Sequence, residues 1–348
     1  MSADGSEQAV DWPDLLSRAV RGEDLDDGAT QAAMGAIMRG DVSPVRVAAL
    51  LVALRAKGET AAEITGLVDS MRRFALSVDA PDDAVDTCGT GGDRAGTFNV
   101  STVAAIVAAG AGASVAKHGN RAASGRCGSA DLLEDWGVVI DLPPPGVQAC
   151  LDEVGIGFCF APAFHPAMRH VMPARRELGV PTVFNFLGPL SNPAGVRHQT
   201  VGVSDPAMAP KMAEVLARLG ARHALVFCGA DGLDELTTTG TSTVWEVRDG
   251  AVERWELDPS SLGLAPATLA DLRGGDVATN RRIADAILEG QAGAPRDITV
   301  LGAGAALYAA DRADRLSDGI AAAAAAIDDG RARRVLDRWI EVSRRQAG

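Results

Sequence analysis

The chain has 348 residues, 47% of them hydrophobic, which is enough for a large core. Its 33 Lys and Arg against 46 Asp and Glu give a net charge of -13, the wrong sign for coating nucleic acid or an anionic membrane surface. No apolar run reaches the roughly 18 residues of a membrane span, and the polar start MSADGSEQAVDW lacks the pattern of a secretory signal, so a cytoplasmic protein is expected.

The first 77 residues read as helices. In SPVRVAALLVALRAKG, Ser43 is an N-cap, Pro44 the first helical residue and Gly58 the stop; in TAAEITGLVDSMRRF, Thr60 and Glu63 form a capping box. Met34, Met38 and Met71 fit a core better than a ligand set. Residues 1–77 are therefore expected to form a small helical domain, completed by a later segment at about 172–198.

From residue 78 onward short β-like runs alternate with helical ones. AVDTC, ASVAK, VVIDL, GFCF, PTVFNF, QTVGV, HALVFCG and STVWEV read as strands; NVSTVAAIVAAG, SADLLEDWG and PAMAPKMAEVLARLG read as helices. Later, IAAAAAAIDDG and the amphipathic ARRVLDRWIEVSRRQ are helix material. The fold class is α/β: over 78–348, a central, mostly parallel sheet flanked by helices, whose ligands gather beyond the carboxyl ends of the strands. Five cysteines, Cys88, Cys127, Cys150, Cys159 and Cys228, are an odd number without a C-x-x-C pair and fit reduced thiols.

Four blocks carry chemistry. In CGTGGDRAGTFNVST a strand ends at Cys88, glycines turn the chain, and a helix begins with Ser101 and Thr102 in its first turn, so that backbone N–H groups and hydroxyls face one spot suited to an anion. The dinucleotide fingerprint would need glycine at position 94, which is Arg94, and a Walker loop would need Gly-Lys-Ser/Thr. The plain alternative is a tight strand-to-helix turn. KHGNRAASGRCGSADLLE repeats the arrangement after the next strand, with Lys117, His118, Arg121 and Arg126 in a polar loop. In CGADGLDELTTTGTSTVWE, carboxylates Asp231, Asp234 and Glu235 follow a strand, which suits Mg²⁺ bound together with substrate phosphates; a solvated loop is the alternative. In HPAMRHVMPARRELGVPTVFNFLGPLSNPAG, Arg169, Arg175 and Arg176 offer a bidentate partner for a carboxylate, or are surface charges, before a hinge-like Gly/Pro stretch.

In this order and spacing the four blocks, GTGGD with FNVST, KHGNRA with GSAD, RRELG with GPLSNPA, and DGLDELT, resemble the anthranilate phosphoribosyltransferases over nearly the whole chain. The resemblance implies that Gly89, Gly92, Asp93, Thr97, Asn99, Val100, Ser101 and Thr102 bind 5-phosphoribosyl 1-diphosphate, with Lys117, His118, Gly119, Asn120, Arg121, Gly125 and Ser129 closing over it. It further implies that Ser101, Asp234 and Glu235 hold Mg²⁺, two ions per site. Asn120 and Arg175 would meet anthranilate, with Gly89 at the junction of the substrates and Lys117 and Asp93 as the catalytic pair. It also implies a homodimer joined through the helical domain.

The loop departs from the family's paired serines, reading Ser124, Gly125, Arg126, Cys127, Gly128, which removes one or two hydroxyl donors for the diphosphate. Competing readings are a pyrimidine nucleoside phosphorylase of the same fold, which would not need the Asp234-Glu235 metal pair, and a non-catalytic nucleic-acid-binding relative, which the acidity opposes. In the transferase chemistry, leaving-group stabilisation does most of the work, and the aromatic amine needs no strong base.

Overall fold

The computed structural model describes residues 10–122 and 126–348. Four helices come first: α1 (Trp12–Val20), α2 (Asp27–Arg39), α3 (Pro44–Lys57) and α4 (Ala61–Arg73). Ser43 caps α3 with Pro44 in its first turn, and Thr60 and Glu63 form the reciprocal box on α4. The buried Glu63 also accepts the Leu25 N–H at 2.9 Å and lies 3.0 Å from Lys57 Nζ, so one carboxylate on α4 ties the connection before α2 to the end of α3.

Strand β1 (Val85–Gly89) is followed by α5 (Val100–Gly110), β2 (Val115–Gly119), α6 (Ser129–Trp136), α7 (Pro144–Val154), β3 (Ile156–Phe160) and a single turn, α8 (Ala161–Phe164). A 3₁₀ turn (Pro166–His170), α9 (Met172–Leu178) and α10 (Phe184–Leu190) come next. The chain ends with β4 (His198–Gly202), α11 (Ala209–Arg218), β5 (His223–Gly229), β6 (Ser242–Arg248), β7 (Ala251–Leu257), α12 (Val277–Leu288), α13 (Ala294–Ala309), α14 (Leu316–Asp328) and α15 (Arg331–Ala347). Two compact units result: a helical one running to Leu76 and taking in His165–Ser191, and a larger one made of Ser77–Phe164 and Asn192–Gly348.

The larger unit is a seven-stranded sheet in the order β3-β2-β1-β4-β5-β6-β7. Strands β1 to β5 run parallel, so their carboxyl ends share one side, while β6 and β7 are antiparallel. Helix α5, apolar all round and buried along nearly its whole length, packs against α13 and α15 at the centre of the core.

Two expected strands are absent, and one strand was not foreseen. VVIDL, residues 138–142, buries Val138, Ile140 and Leu142 but is irregular: the Val139 N–H is taken by Ser343 Oγ rather than by a strand, and prolines follow directly. PTVFNF becomes the approach to α10, because Asn185 Oδ1 accepts the Thr182 N–H and closes a turn. The unforeseen strand is β7, joined to β6 by Asp249-Gly250 with φ values of 47° and 86°, the two-residue turn that Asp-Gly favours. β7 forms one border of the sheet and is mostly exposed, carrying Glu253, Arg254 and Glu256, the last two 2.9 Å apart.

Candidate active site

The glycine turn begins where β1 ends. Gly91 and Gly92 take φ of 67° and 87°, conformations that side-chain-bearing residues adopt only under strain, and these let the chain reverse before α5. The turn is fastened from one side by β4 and the residues just beyond it: Thr90 N–H donates to Gly202 O at 2.9 Å, and Ser204 Oγ donates to Gly91 O at 2.8 Å. From another side the strand-like Thr97 bridges Arg273. Asn99 precedes α5, donating to Cys127 O at 3.0 Å and accepting from Asn280. Val100 and Thr102 are buried, and Thr102 Oγ1 has no hydrogen-bond partner among the described residues.

Two carboxylates reach this turn from the loop after β5. Asp234 Oδ2 accepts the Gly91 N–H at 2.6 Å, and Glu235 Oε1 accepts the Ser101 N–H at 3.2 Å. Asp231, the first acid of the motif, instead turns inward to Thr237, Thr239 and the Leu233 N–H and shapes the loop itself. Asp234 can approach because β1 and β4 end in glycines. Burial, reinforced by the neighbouring Asp93, raises the Asp234 carboxyl well above the ordinary range. Burial and Asp234 likewise push Glu235 up to about 8, against the pull of Lys117. Carboxylates forced together out of water in this way are suited to a divalent cation, which would favour their charged forms. Among the described residues no three acidic, histidine or cysteine groups form a complete metal cage; Mg²⁺ characteristically takes one or two carboxylates and completes its shell with waters and phosphates.

Lys117 lies on β2, fully buried, with its ammonium donating to the Thr87 carbonyl and lying 3.4 Å from Thr87 Oγ1 and 3.5 Å from Ser101 Oγ. Burial lowers its affinity for a proton, while Asp86, Cys88 and Glu235 oppose that loss. Asp93, Lys117, Asp234 and Glu235 thus surround one turn at the tips of β1, β2 and β5. Asp93 itself is half-buried and accepts the Ala95 N–H at 3.2 Å.

The second loop is partly described. Gly125 and Ser124 lie outside the described residues. His118 is buried, with its N–H donated to Asp86 at 3.1 Å, and Gly119 follows where a methyl group would press on Phe158. Asn120 is exposed, and its side-chain oxygen accepts the Arg121 N–H at 2.7 Å. The Arg121 guanidinium is held by Asp131 and Glu134 and stacks on Phe160, so it is engaged by the protein itself. Ser129 opens α6, and Asp131 clamps the loop's two described ends by accepting the Ala122 and Gly128 N–H groups. Arg175 belongs to the helical unit: it is half-buried over the Phe184 ring at 5.3 Å, whereas Arg169 and Arg176 are exposed.

Sequence reasoning passed over Thr87, which receives the Lys117 ammonium, and Asp86, Gln199 and Asn192 beneath it. A carboxylate inside the apolar run AVDTC was the available signal, since an aspartate in an inner strand must be paired.

Residues 81–333 match the model of the glycosyl transferase family a/b domain, and residues 13–75 that of its helical bundle domain. An anthranilate phosphoribosyltransferase of Roseiflexus castenholzii is 55% identical over 332 residues, covering 95% of this chain and 98% of that protein. The crystal structure of the Thermus thermophilus anthranilate phosphoribosyltransferase superposes with a TM-score of 0.90 at 46% identity, covering 95% and 99% of the two chains. The Saccharomyces cerevisiae anthranilate phosphoribosyltransferase in complex with PRPP and Mg superposes with a TM-score of 0.87 at 28% identity, covering 97% and 99%.

Proposed function

The chain belongs to the anthranilate phosphoribosyltransferases of the glycosyl transferase family, and we propose that it performs their reaction at the glycine turn. The phosphoribosyl group of 5-phosphoribosyl 1-diphosphate passes to the amino group of anthranilate, giving N-(5-phosphoribosyl)anthranilate and diphosphate, the second step of tryptophan biosynthesis from chorismate. The observation that carries this reading is the meeting of Asp93, Lys117, Asp234 and Glu235 around one turn of backbone donors.

The bond from C1 of the ribose to the diphosphate oxygen breaks as positive charge develops on the sugar, so the task of the site is to accept the negative charge that leaves. Lys117 supplies an ammonium at the strand tip, and the first turn of α5 supplies backbone dipoles aimed at an anion. Ser101, Asp234 and Glu235, with Asp93 adjacent, would hold magnesium, two ions per site; the yeast complex with PRPP and Mg supports the use of magnesium. Magnesium, when bound, would neutralise the diphosphate and ease its departure. The anthranilate amine attacks with its own lone pair, and its proton leaves afterwards to water or diphosphate. Gly89, Gly92, Thr97 and the loop residues 118–121, 125 and 129 complete the sugar diphosphate site, and Asn120 receives the anthranilate. The names of the relatives support this transferase over a nucleoside phosphorylase of the same fold.

The enzyme is placed in the cytoplasm as a homodimer on this reading; among the described residues no helix is long and apolar enough to cross a membrane. The deciding assay is the decay of anthranilate fluorescence with PRPP and Mg²⁺. Decay requiring all three components is expected, and no decay with a folded enzyme at any Mg²⁺ concentration would overturn the assignment.

A further inference from the structure

The parallel ladder between β1 and β2 stops early. Its paired register is Val85↔Val115, with Val85 N–H donating to Ser114 O, whereas β1 and β4 are paired at five positions and β2 and β3 at five. Continued in that register, the ladder would join Thr87 N–H to Ala116 O and His118 N–H to Thr87 O. Side chains stand at three of those four positions. Asn192 Nδ2 donates to Ala116 O at 2.8 Å, Asp86 Oδ1 accepts the His118 N–H at 3.1 Å, and the Lys117 ammonium takes the Thr87 carbonyl.

Asp86 is the hub of this exchange. It is completely buried, and besides the His118 N–H it receives Gln199 Nε2 from β4 at 3.3 Å, with the Asn192 carboxamide, from the segment that enters β4, favouring its charged form. The His118 N–H and Gln199 Nε2 donate to it and the Lys117 ammonium lies close enough to favour its charge, an environment that a carboxylate's two accepting oxygens and negative charge satisfy. Burial raises its carboxyl, and Lys117 together with these donors opposes the rise.

Building on the transferase reading, we propose that Asp86 is a positioning residue: its carboxylate ties β1, β2 and β4 into a frame that keeps the strand gap open and holds the Lys117 ammonium where the diphosphate departs. The Asp86 side chain is completely buried and acts through its neighbours. An amide at this position would turn one acceptor into a donor facing Gln199 or Asn192, and changing Gln199 to a carboxylate would restore both the donor count and the single charge.

The test compares the wild type, Asp86→Asn and Asp86→Asn/Gln199→Glu, reading thermal midpoint, kcat, anthranilate KM and calorimetric affinity for magnesium diphosphate. Asp86→Asn is expected to lower kcat and diphosphate affinity by at least about tenfold, the scale of one hydrogen bond to a charged group, with anthranilate KM within about threefold. The double variant is expected to recover most of both losses. A folded Asp86→Asn protein with wild-type kcat and diphosphate affinity overturns the proposal, as does a double variant whose thermal midpoint recovers while those two quantities do not. If the single variant does not fold, the double variant decides by the same criterion. A wild type inactive on anthranilate would sink the transferase reading alone, because the diphosphate affinities still report on Asp86.

Discussion

A methyl group on Gly202 would lie 1.7 Å from the Asp234 carbonyl oxygen, and one on Gly89 would lie 2.3 Å from its Oδ2. The first obstacle is backbone and cannot swing aside, so Gly202→Ala should destabilise the protein by about 1 to 3 kcal/mol and depress activity by displacing the metal-facing loop. Urea melts and the fluorescence assay check this, and unchanged stability would contradict the geometry. The sequence showed that glycines crowd the end of β1. That Gly202 belongs with them was hidden, because its reason lies in a loop about thirty residues onward. Glu246 is a second residue of this kind. Burial disfavours its charge, yet His223, Tyr308 and Trp255 outweigh that and bring it down to about 2. A carboxyl lowered in the folded state lends stability above its ordinary value near 4.5 and surrenders it as pH falls toward 2. Wild-type stability should therefore fall across that window with a slope of up to about 1.4 kcal/mol per pH unit for one proton. Glu246→Gln should flatten the slope; equal slopes would refute the assignment.

At the scale of elements, helix signals were the most readable. Ser43, Pro44, Thr60 and Glu63 act locally, within one turn, and local chemistry is what a sequence displays directly. Glu63 goes further than its box, since it also neutralises Lys57 and caps the Leu25 N–H in a buried position. Glu63→Ala should cost about 1.5 to 3 kcal/mol, the scale of hydrogen bonds to a charged group, because the Leu25 N–H loses its acceptor while Lys57 keeps Asp24 at 2.7 Å. Thr60→Ala, which removes only the cap, should cost about 1 kcal/mol. Chemical denaturation of the pair of variants tests the ordering, and equal losses would mean that the cap is all Glu63 provides. Strands were less readable. VVIDL and PTVFNF have strand composition, but the Val139 N–H of the first goes to the distant Ser343 and the second closes a turn through its own Asn185. β7 had a local signal in Asp249-Gly250 between two alternating runs, and that signal was overlooked.

Across the whole molecule, the α/β class and the chemistry-bearing motifs were legible because four separate blocks agreed, whereas the framework under Lys117 was not, since Asp86, Asn192 and Gln199 meet only after folding. The helical unit carries a stripe on α3 in which Val45, Ala49, Val52 and Ala56 remain exposed at helical spacing. Such a stripe supports the proposed homodimer through this unit. If the wild type sediments as the proposed dimer, Val45→Glu/Val52→Lys should yield a monomer at micromolar concentration with a folded far-UV spectrum; a variant that still sediments as a dimer would move the contact to another surface, and a monomeric wild type would refute the dimer.

The sheet ends at β7, where Glu253, Arg254 and Glu256 stand outward. An unpaired margin of this length would otherwise template the addition of strands from other copies, and alternating charge makes such growth unfavourable. That decoration disfavours edge-to-edge pairing between copies of the chain.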